Sequence, residues 1–512
     1  SLLIDFNFRS DEDFKELSSS DLLFLKDTSC CGSGNLRPRS FASLQLRALS
    51  AVRALKDNPC AHFLLLSISD LADPFFACRD LIKACGGRIV CLNSLSKREF
   101  KSLLADKCKP GEILMISADR LLSSQKRMNF LSSVMEDDLK MIICGNAQDL
   151  ADVMLLCPRF RNALHADYVV EYAYSPVLLG EITAYLRDLK LCKDLSAEAL
   201  ELLAWRGARL AEDRALMLLD ERELIQLLGE ASAMTEKDEV DARVLLKAMG
   251  AADFRQNYIA QAMMREHRDR RILMETSGSR IGQINGLSVI ETSGSCYEYG
   301  EPVRITATIK AGGEGEIADI ERKAELAGQI HAKAMMIING FLTREFGSVL
   351  PLPASASLVF EQSYSEIDGD SASLTGLCAV LSAYGDLPLR QDLAVTGAVD
   401  QFGNVQPVGG LNQKIEGFFK ICSLHGLTGT QGVIIPHSCA DALVLRPQII
   451  TAIEQGKFHI YAVRHVKGAL RLFTGAKWGD PQQEKSVVAK IVDRLEGISN
   501  RTEDRPWWHF WG

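Results

Sequence analysis

The sequence predicts an α/β protein in several domains, and three observations carry that expectation. Apolar, strand-like runs at 62–68, 88–92, 112–117 and 139–144 alternate with helical stretches, the pattern of a parallel sheet with crossover helices. From about 178 to 250 the periodicity is helical throughout, as in Ala197-Glu198-Ala199-Leu200-Glu201-Leu202-Leu203. Around Arg280-Ile281-Gly282-Gln283-Ile284-Asn285-Gly286-Leu287 the texture turns to strand and turn, opening a last large domain.

Taken in order, residues 1–35 form a polar N-terminal segment ending in the loop Cys31-Gly32-Ser33-Gly34-Asn35, and 36–180 an α/β sheet domain. Residues 181–272 form a helical lid and connector, 273–475 the second α/β domain, and 476–512 a charged tail. The connector arginines (Arg255, Arg265, Arg268, Arg270, Arg271) read as a solvated face, because no aromatic platform for bases accompanies them. The tail ends in Trp507-Trp508-His509-Phe510-Trp511, too short to span a bilayer and expected to dock on the parent assembly, with binding at a membrane interface as the alternative.

Composition narrows the class. The chain's 512 residues, 47% hydrophobic and 24% charged, match a soluble globular protein able to bury several cores. A formal charge of −8 argues against broad attraction to nucleic acid. The 14 cysteines are scattered without disulfide or zinc spacing, so they read as reduced thiols of a cytoplasmic protein. No apolar run reaches the ~18–20 residues of a transmembrane helix. The start, Ser1-Leu2-Leu3-Ile4-Asp5, lacks the basic stretch of a signal peptide and also lacks Met.

Two segments carry chemistry. In Ile367-Asp368-Gly369-Asp370-Ser371-Ala372-Ser373 the glycine permits a sharp turn, and the following residues have helical spacing. Ser371 would then stand at a helix N-terminus, where free N–H groups stabilise a developing oxyanion. Ser371 or Asp370 could equally be a plain helix cap. In Pro407-Val408-Gly409-Gly410-Leu411-Asn412-Gln413-Lys414 a glycine turn leads into an amphipathic helix. A lysine can take a serine's proton once burial lowers its pKa, whereas a surface lysine merely lays its stem over apolar neighbours. Thr396 lies in the β-rich run Leu393-Ala394-Val395-Thr396-Gly397, and no histidine pair has metal-binding spacing.

Phe360-Glu361-Gln362-Ser363-Tyr364, Asp368 to Ser373, Val395-Thr396-Gly397 and Pro407 to Lys414 resemble, in order and spacing, the proteolytic domain of the Lon family. The match is nearest the LonB type and the soluble Lon-related proteases of Gram-negative bacteria. The resemblance implies a Ser-Lys serine endopeptidase that cuts unfolded proteins, usually as a homo-hexamer. Ser371 is then the nucleophile, Lys414 the general base and Thr396 the residue that orients the lysine. Asp370 tunes charge and solvent access and competes with Lys414 for a proton, with Glu361 and Tyr364 in supporting positions.

The same resemblance makes the front half a degenerate AAA+-like domain with a helical lid. The family's cofactor is ATP, but after strand 62–68 the phosphate-binding G-x-x-x-x-G-K-[ST] is replaced by Ser69-Asp70-Leu71-Ala72-Asp73-Pro74. Asp119, the nearest candidate for the magnesium carboxylate, is displaced and reads as a helix-initiating acid. Arg159 and Arg161 are either ring-interface contacts or surface arginines. No cofactor and no metal are therefore expected, and cleavage should proceed without ATP. The alternatives are an ATP-dependent protease with an atypical nucleotide site and a non-catalytic ring chaperone.

Overall fold

The computed structural model describes residues 12–503, apart from 24–35, 70–71, 94–97, 99–101, 103–110, 134–138, 293–296, 320–328, 348–353 and 362–370. The chain divides into two units. One is made of 26–211 and 215–252; the other of 1–25, 212–214 and 253–512. The aromatic tail, the loop 31–35, Asp70, Asp370 and Tyr364 lie outside the described residues.

The unit of 26–252 is built on a five-stranded sheet. Its strands are β1 (Phe63–Ile68), β2 (Arg88–Cys91), β3 (Glu112–Ser117), β4 (Met141–Gly145) and β5 (Leu164–Tyr168). All pair in parallel, in the order β2-β3-β4-β1-β5. β1 and β4 are central and apolar on both faces, as a sheet covered on both sides requires. Leu64 and Leu66 pack with helix α1 (Leu46–Asp57) and α2 (Pro74–Ala84), while Phe63 and Leu65 face Phe160 and Leu131 in a second cluster. Asp119 lies in the first turn of the short helix α3 (Ala118–Leu122), directly after β3.

Four helices follow: α4 (Pro176–Asp188), α5 (Ala197–Ala211), α6 (Glu221–Ala233) and α7 (Ala242–Gln256), packed around Leu179, Ile182, Leu203, Leu228 and Leu245. The stretch read as wholly helical also contains small strand pairs. Asp194–Leu195 runs parallel to Glu239–Val240, and Leu216–Leu218 pairs antiparallel with Glu171–Ala173, which precedes the stretch. Two or three residues are too few to register as a period of two, so sequence periodicity passes over them.

The other unit holds a seven-stranded mixed sheet. Its principal strands are β6 (Gln283–Glu291), β7 (Glu298–Asp319), β8 (Ala354–Phe360), β9 (Leu393–Val395), β10 (Gly432–Pro436) and β11 (His459–Val463). β6, β9, β10 and β11 run parallel to one another, β7 and β8 add an antiparallel flank, and Lys15–Glu16 closes the other edge against β11.

The principal helices of this unit are α8 (Gln329–Phe346), α9 (Ser373–Gly385), α10 (Leu411–His425), α11 (Val466–Thr474) and α12 (Val487–Glu503). The strand period of two assigns them to faces. Leu393, Val395, Ile434 and Val463 point into a core with α8, α9, α11 and α12. Ala394, Val433, Ile435 and Ala462 point the other way, onto Leu411, Ile415, Phe418 and Cys422 of α10. Every residue of α9 is buried, which explains why its sequence is apolar nearly all round. Phe418 is fully buried, and truncating it to Ala would cost about 3–5 kcal/mol.

Candidate active site

Two helix starts meet the sheet at one end. β9 finishes at Val395, and Gly397, two residues on, holds the chain at the start of α9. Gly397 N–H donates to the Ser371 carbonyl at 3.1 Å, and Leu374 N–H donates to the Gly397 carbonyl at 3.1 Å. Two further bonds pin the helix: Thr375 Oγ1 to Val395 O at 3.1 Å, and Val399 N–H to Ser373 Oγ at 3.0 Å. Ser371 is therefore not a plain cap. The capping position belongs to Ala372, which has no side chain able to cap, and Ser371 precedes it in the turn, half-buried.

Lys414 enters from the opposite face of the sheet, in the first turn of α10. The backbone there is pressed against β7. A Cβ on Gly300 would lie 1.8 Å from Gln413 O, and one on Gly417 would lie 2.2 Å from Gly300 O. Only two glycines allow helix and strand backbones to approach so closely. Gly410, the residue before the helix, has φ of +69°, and a Cβ there would meet Val289 Cγ2 of β6 at 2.5 Å. Val289 lies beyond the point where β6 pairs with β9, at Asn285 and Ala394, so α10 begins at the same end of the sheet as α9.

Lys414 is 4% exposed, which decides against a surface lysine. Burial pushes its ammonium down to about 8, while Glu212 and the Cys439 thiol pull the other way. A lysine in that range is partly free base near neutral pH, as a general base must be. Thr396 is fully buried; its N–H donates to Ile434 O at 3.1 Å, but its Oγ1 has no hydrogen-bond partner among the described residues. A buried hydroxyl without a partner costs about 1–3 kcal/mol, so it is poised to bond to a further group.

Of the residues singled out by sequence, Ser371 and Thr396 are joined through Gly397, and Lys414 starts from the same end of the sheet. Asp370 lies outside the described residues. Glu361 accepts a hydrogen bond from Thr306 Oγ1 at 2.8 Å and serves the sheet. Sequence reasoning passed over Glu212, whose Oε1 accepts the Gly410 N–H at 2.6 Å, because it lies far from the other residues in sequence. Among the described residues no three His, Cys, Asp or Glu side chains converge as a metal would need, and no helix is long and apolar enough to cross a membrane.

The segment that the sequence set against a phosphate-binding loop leads into α2. Asp73 caps α2, its carboxylate accepting from Phe75 N–H at 3.0 Å and Phe76 N–H at 3.2 Å. Pro74 removes another donor. The amides a phosphate would use are thus occupied by a fixed negative charge. Beside them, Phe76, Tyr168, Asp220 and Arg222 line a cavity of ≈ 10 Å³, room for about one water. Arg222 lies over the Phe76 ring, 3.8 Å from its centre, and Arg79 is 4.7 Å from it. Arg159 and Arg161 stand on the 3-10 turn Pro158–Asn162, with Arg161 exposed.

Comparison with known proteins adds to this geometry. Residues 361–472 match the Lon protease (S16) C-terminal proteolytic domain. The chain is 40% identical over 370 residues to the "Putative Lon protease homolog" of Escherichia coli (strain K12), across 71% of this chain and 62% of that protein. It is 39% identical over 393 residues to the protein of the same name in Haemophilus influenzae, across 73% of this chain and 63% of that one. An archaeal Lon protease of Thermococcus kodakarensis is 28% identical over 258 residues, 50% of this chain and 37% of that protein. The matches thus span less than two thirds of the length of these relatives.

Proposed function

Because its proteolytic domain and its 40% identical relative place the chain in the Lon protease family, we infer that it is a serine endopeptidase working through a Ser371–Lys414 dyad. The observation that carries this reading is the buried Lys414, brought down to about 8 at the end of the sheet where Ser371 is also held.

In the first step the neutral Lys414 amine takes the Ser371 proton as Oγ bonds to the scissile carbonyl carbon. The carbonyl oxygen becomes an oxyanion, held by backbone N–H groups near 371–372 at the start of α9. Collapse breaks the C–N bond, and the Lys414 ammonium returns its proton to the departing amine. Water then repeats the sequence on the acyl-serine, releasing the acid and restoring Ser371. Thr396 Oγ1 supplies an oriented partner for the lysine amine, which would satisfy the buried hydroxyl. Asp370 adjusts the charge beside the nucleophile.

The substrates on this reading are peptides and unfolded proteins, cut inside a homo-hexameric ring in the cytoplasm. The front unit is a degenerate AAA+-like domain with a helical lid. Its Asp73-capped α2 and small neighbouring cavity favour ATP-independent cleavage over an ATP-driven protease. The deciding experiment is cleavage of casein and of a fluorogenic peptide, with and without Mg-ATP, beside Ser371→Ala. Cleavage that survives Ser371→Ala would dismiss the dyad, and cleavage that needs ATP would dismiss the nucleotide-free reading.

A further inference from the structure

Glu212 reaches the turn ahead of Lys414 from a backbone that does not favour it. Its φ is +51°, in the left-handed region, which costs an ordinary side chain about 1 kcal/mol or more. The surrounding structure holds it there. Two residues on, Arg214 donates from Nε to Leu443 O at 2.8 Å and from Nη1 to Asp21 O at 2.8 Å. Its backbone N–H also donates to Asp441 O at 3.4 Å. Residues 212–214 accordingly belong to the unit that contains Lys414.

So anchored, Glu212 acts on the Gly409-Gly410 turn. Its Oε1 accepts the Gly410 N–H at 2.6 Å, and its Oε2 lies 3.5 Å from where a Cβ on Gly409 would stand. The carbonyl of that same Gly410 accepts the Lys414 N–H at 2.9 Å. A Cβ on Gly410 would also lie 3.9 Å from Lys414 Cε, so the lysine stem passes over this glycine. Gly410 therefore receives the carboxylate on one side and holds the lysine backbone on the other. Having no side chain, it cannot cap the helix itself.

We propose that Glu212 is a positioning residue for Lys414, clamping the glycine turn from which its helix starts and facing its amine with a fixed negative charge. The catalytic consequence rests on the dyad reading; the clamp and the charge do not. Other groups near the lysine are few among the described residues. Cys439, on the turn His437–Ala442, faces it with a thiol that burial raises. Glu298 of β7 accepts from Gln413 Nε2 at 3.4 Å, and burial raises its carboxyl as well. Glu212 is the carboxylate whose charge favours the Lys414 ammonium, opposing the effect of burial.

The test separates clamp from charge. Glu212→Gln keeps an oxygen for the Gly410 N–H and removes the charge; Glu212→Ala removes both. The protonation midpoint of Lys414 is read in the full chain by acetic anhydride labelling against pH, with mass spectrometry of its peptide. This readout does not depend on proteolysis. Removing a nearby negative charge disfavours the ammonium, so both variants should shift the midpoint downward. In peptide cleavage the acid limb should follow it in Glu212→Gln. Glu212→Ala should in addition lose about tenfold or more of the high-pH kcat relative to Gln, with KM little changed. An unmoved midpoint in both variants overturns the proposal, whether or not the protein cleaves anything. Equal high-pH kcat in Ala and Gln overturns the clamp. A shifted midpoint in a protein with no Ser371-dependent cleavage would uphold Glu212 and fell the dyad reading instead.

Discussion

Gly397 N–H donates to the backbone carbonyl of Ser371 at 3.1 Å, so the serine is held from its main chain, with no bond to its side chain among the described residues. The hydroxyl is thereby left for chemistry while the turn that carries it is fixed by β9. Ser371→Ala should abolish peptide cleavage, a fall of about 10³-fold or more in kcat, and leave the thermal midpoint within about 1–2 °C. Parallel rate and melting measurements check both halves. A large loss of stability with retained activity would assign Ser371 to the fold instead.

Lys414 sets the pH dependence. With its ammonium brought down to about 8, the free base grows as pH rises, so the cleavage rate should climb through an apparent pKa near 8 and then level off. Lys414→Arg should be inactive at every pH up to 10, because guanidinium keeps its proton. A rate profile flat from pH 6 to 9, or an active arginine variant, would remove the lysine from the mechanism.

The same burial should cost stability. A lysine of about 10.4 when unfolded and about 8 when folded binds its proton less well in the native state. Below pH 8 the penalty is full, and it fades as pH rises from about 8 to 10. Lys414→Met should therefore stabilise the protein at pH 7 by roughly 2–3 kcal/mol, with the difference from wild type shrinking by pH 10. Urea unfolding of both proteins at the two pH values measures it. A destabilised methionine variant at pH 7 would show that the lysine makes compensating bonds.

Much of this architecture is legible in the sequence, and the rest is hidden for definable reasons. The strands at 63–68 and 112–117 announce themselves as apolar runs because they are buried on both faces. The turns around Ser371 and Gly410 are readable because glycine punctuates them. What periodicity cannot show is contact between distant segments. Nothing near Gly300 or Gly417 marks them as the pair that seats α10 on β7, and Glu212 looks like any acid ending a helix. The capping role open to Ser371 was also undecidable, since it is the bond from Gly376 N–H to Ala372 O at 2.9 Å that puts Ala372 in that position.

Nucleotide binding provides a test of the front unit. Asp73 already satisfies Phe75 and Phe76 N–H, and Pro74 offers no donor, so a triphosphate would meet a carboxylate at the start of α2. Calorimetry with Mg-ATP should detect no binding tighter than about 1 mM, equivalent to roughly −4 kcal/mol. A micromolar constant would restore the ATP-driven reading.

Glu221, which no sequence motif singles out, provides an independent check on that unit. It begins α6 next to Asp220, and burial, followed by the charge of Asp80, raises its carboxyl to about 7 in spite of Arg79 and Arg222. In the unfolded chain it titrates near 4.3. Between those values the unfolded state has lost a proton that the native state keeps, so native stability falls as pH rises from about 4.5 to 7. Below about 4 both states are protonated and the penalty vanishes. Glu221→Gln should therefore stabilise this unit at pH 8 by about 1–2 kcal/mol, reduced from the full shift because the side chain is only partly buried. The gain should disappear at pH 4. Denaturant melts of wild type and variant at the two pH values decide it: equal stability at pH 8 would mean that Arg79 and Arg222 already neutralise the carboxylate in place.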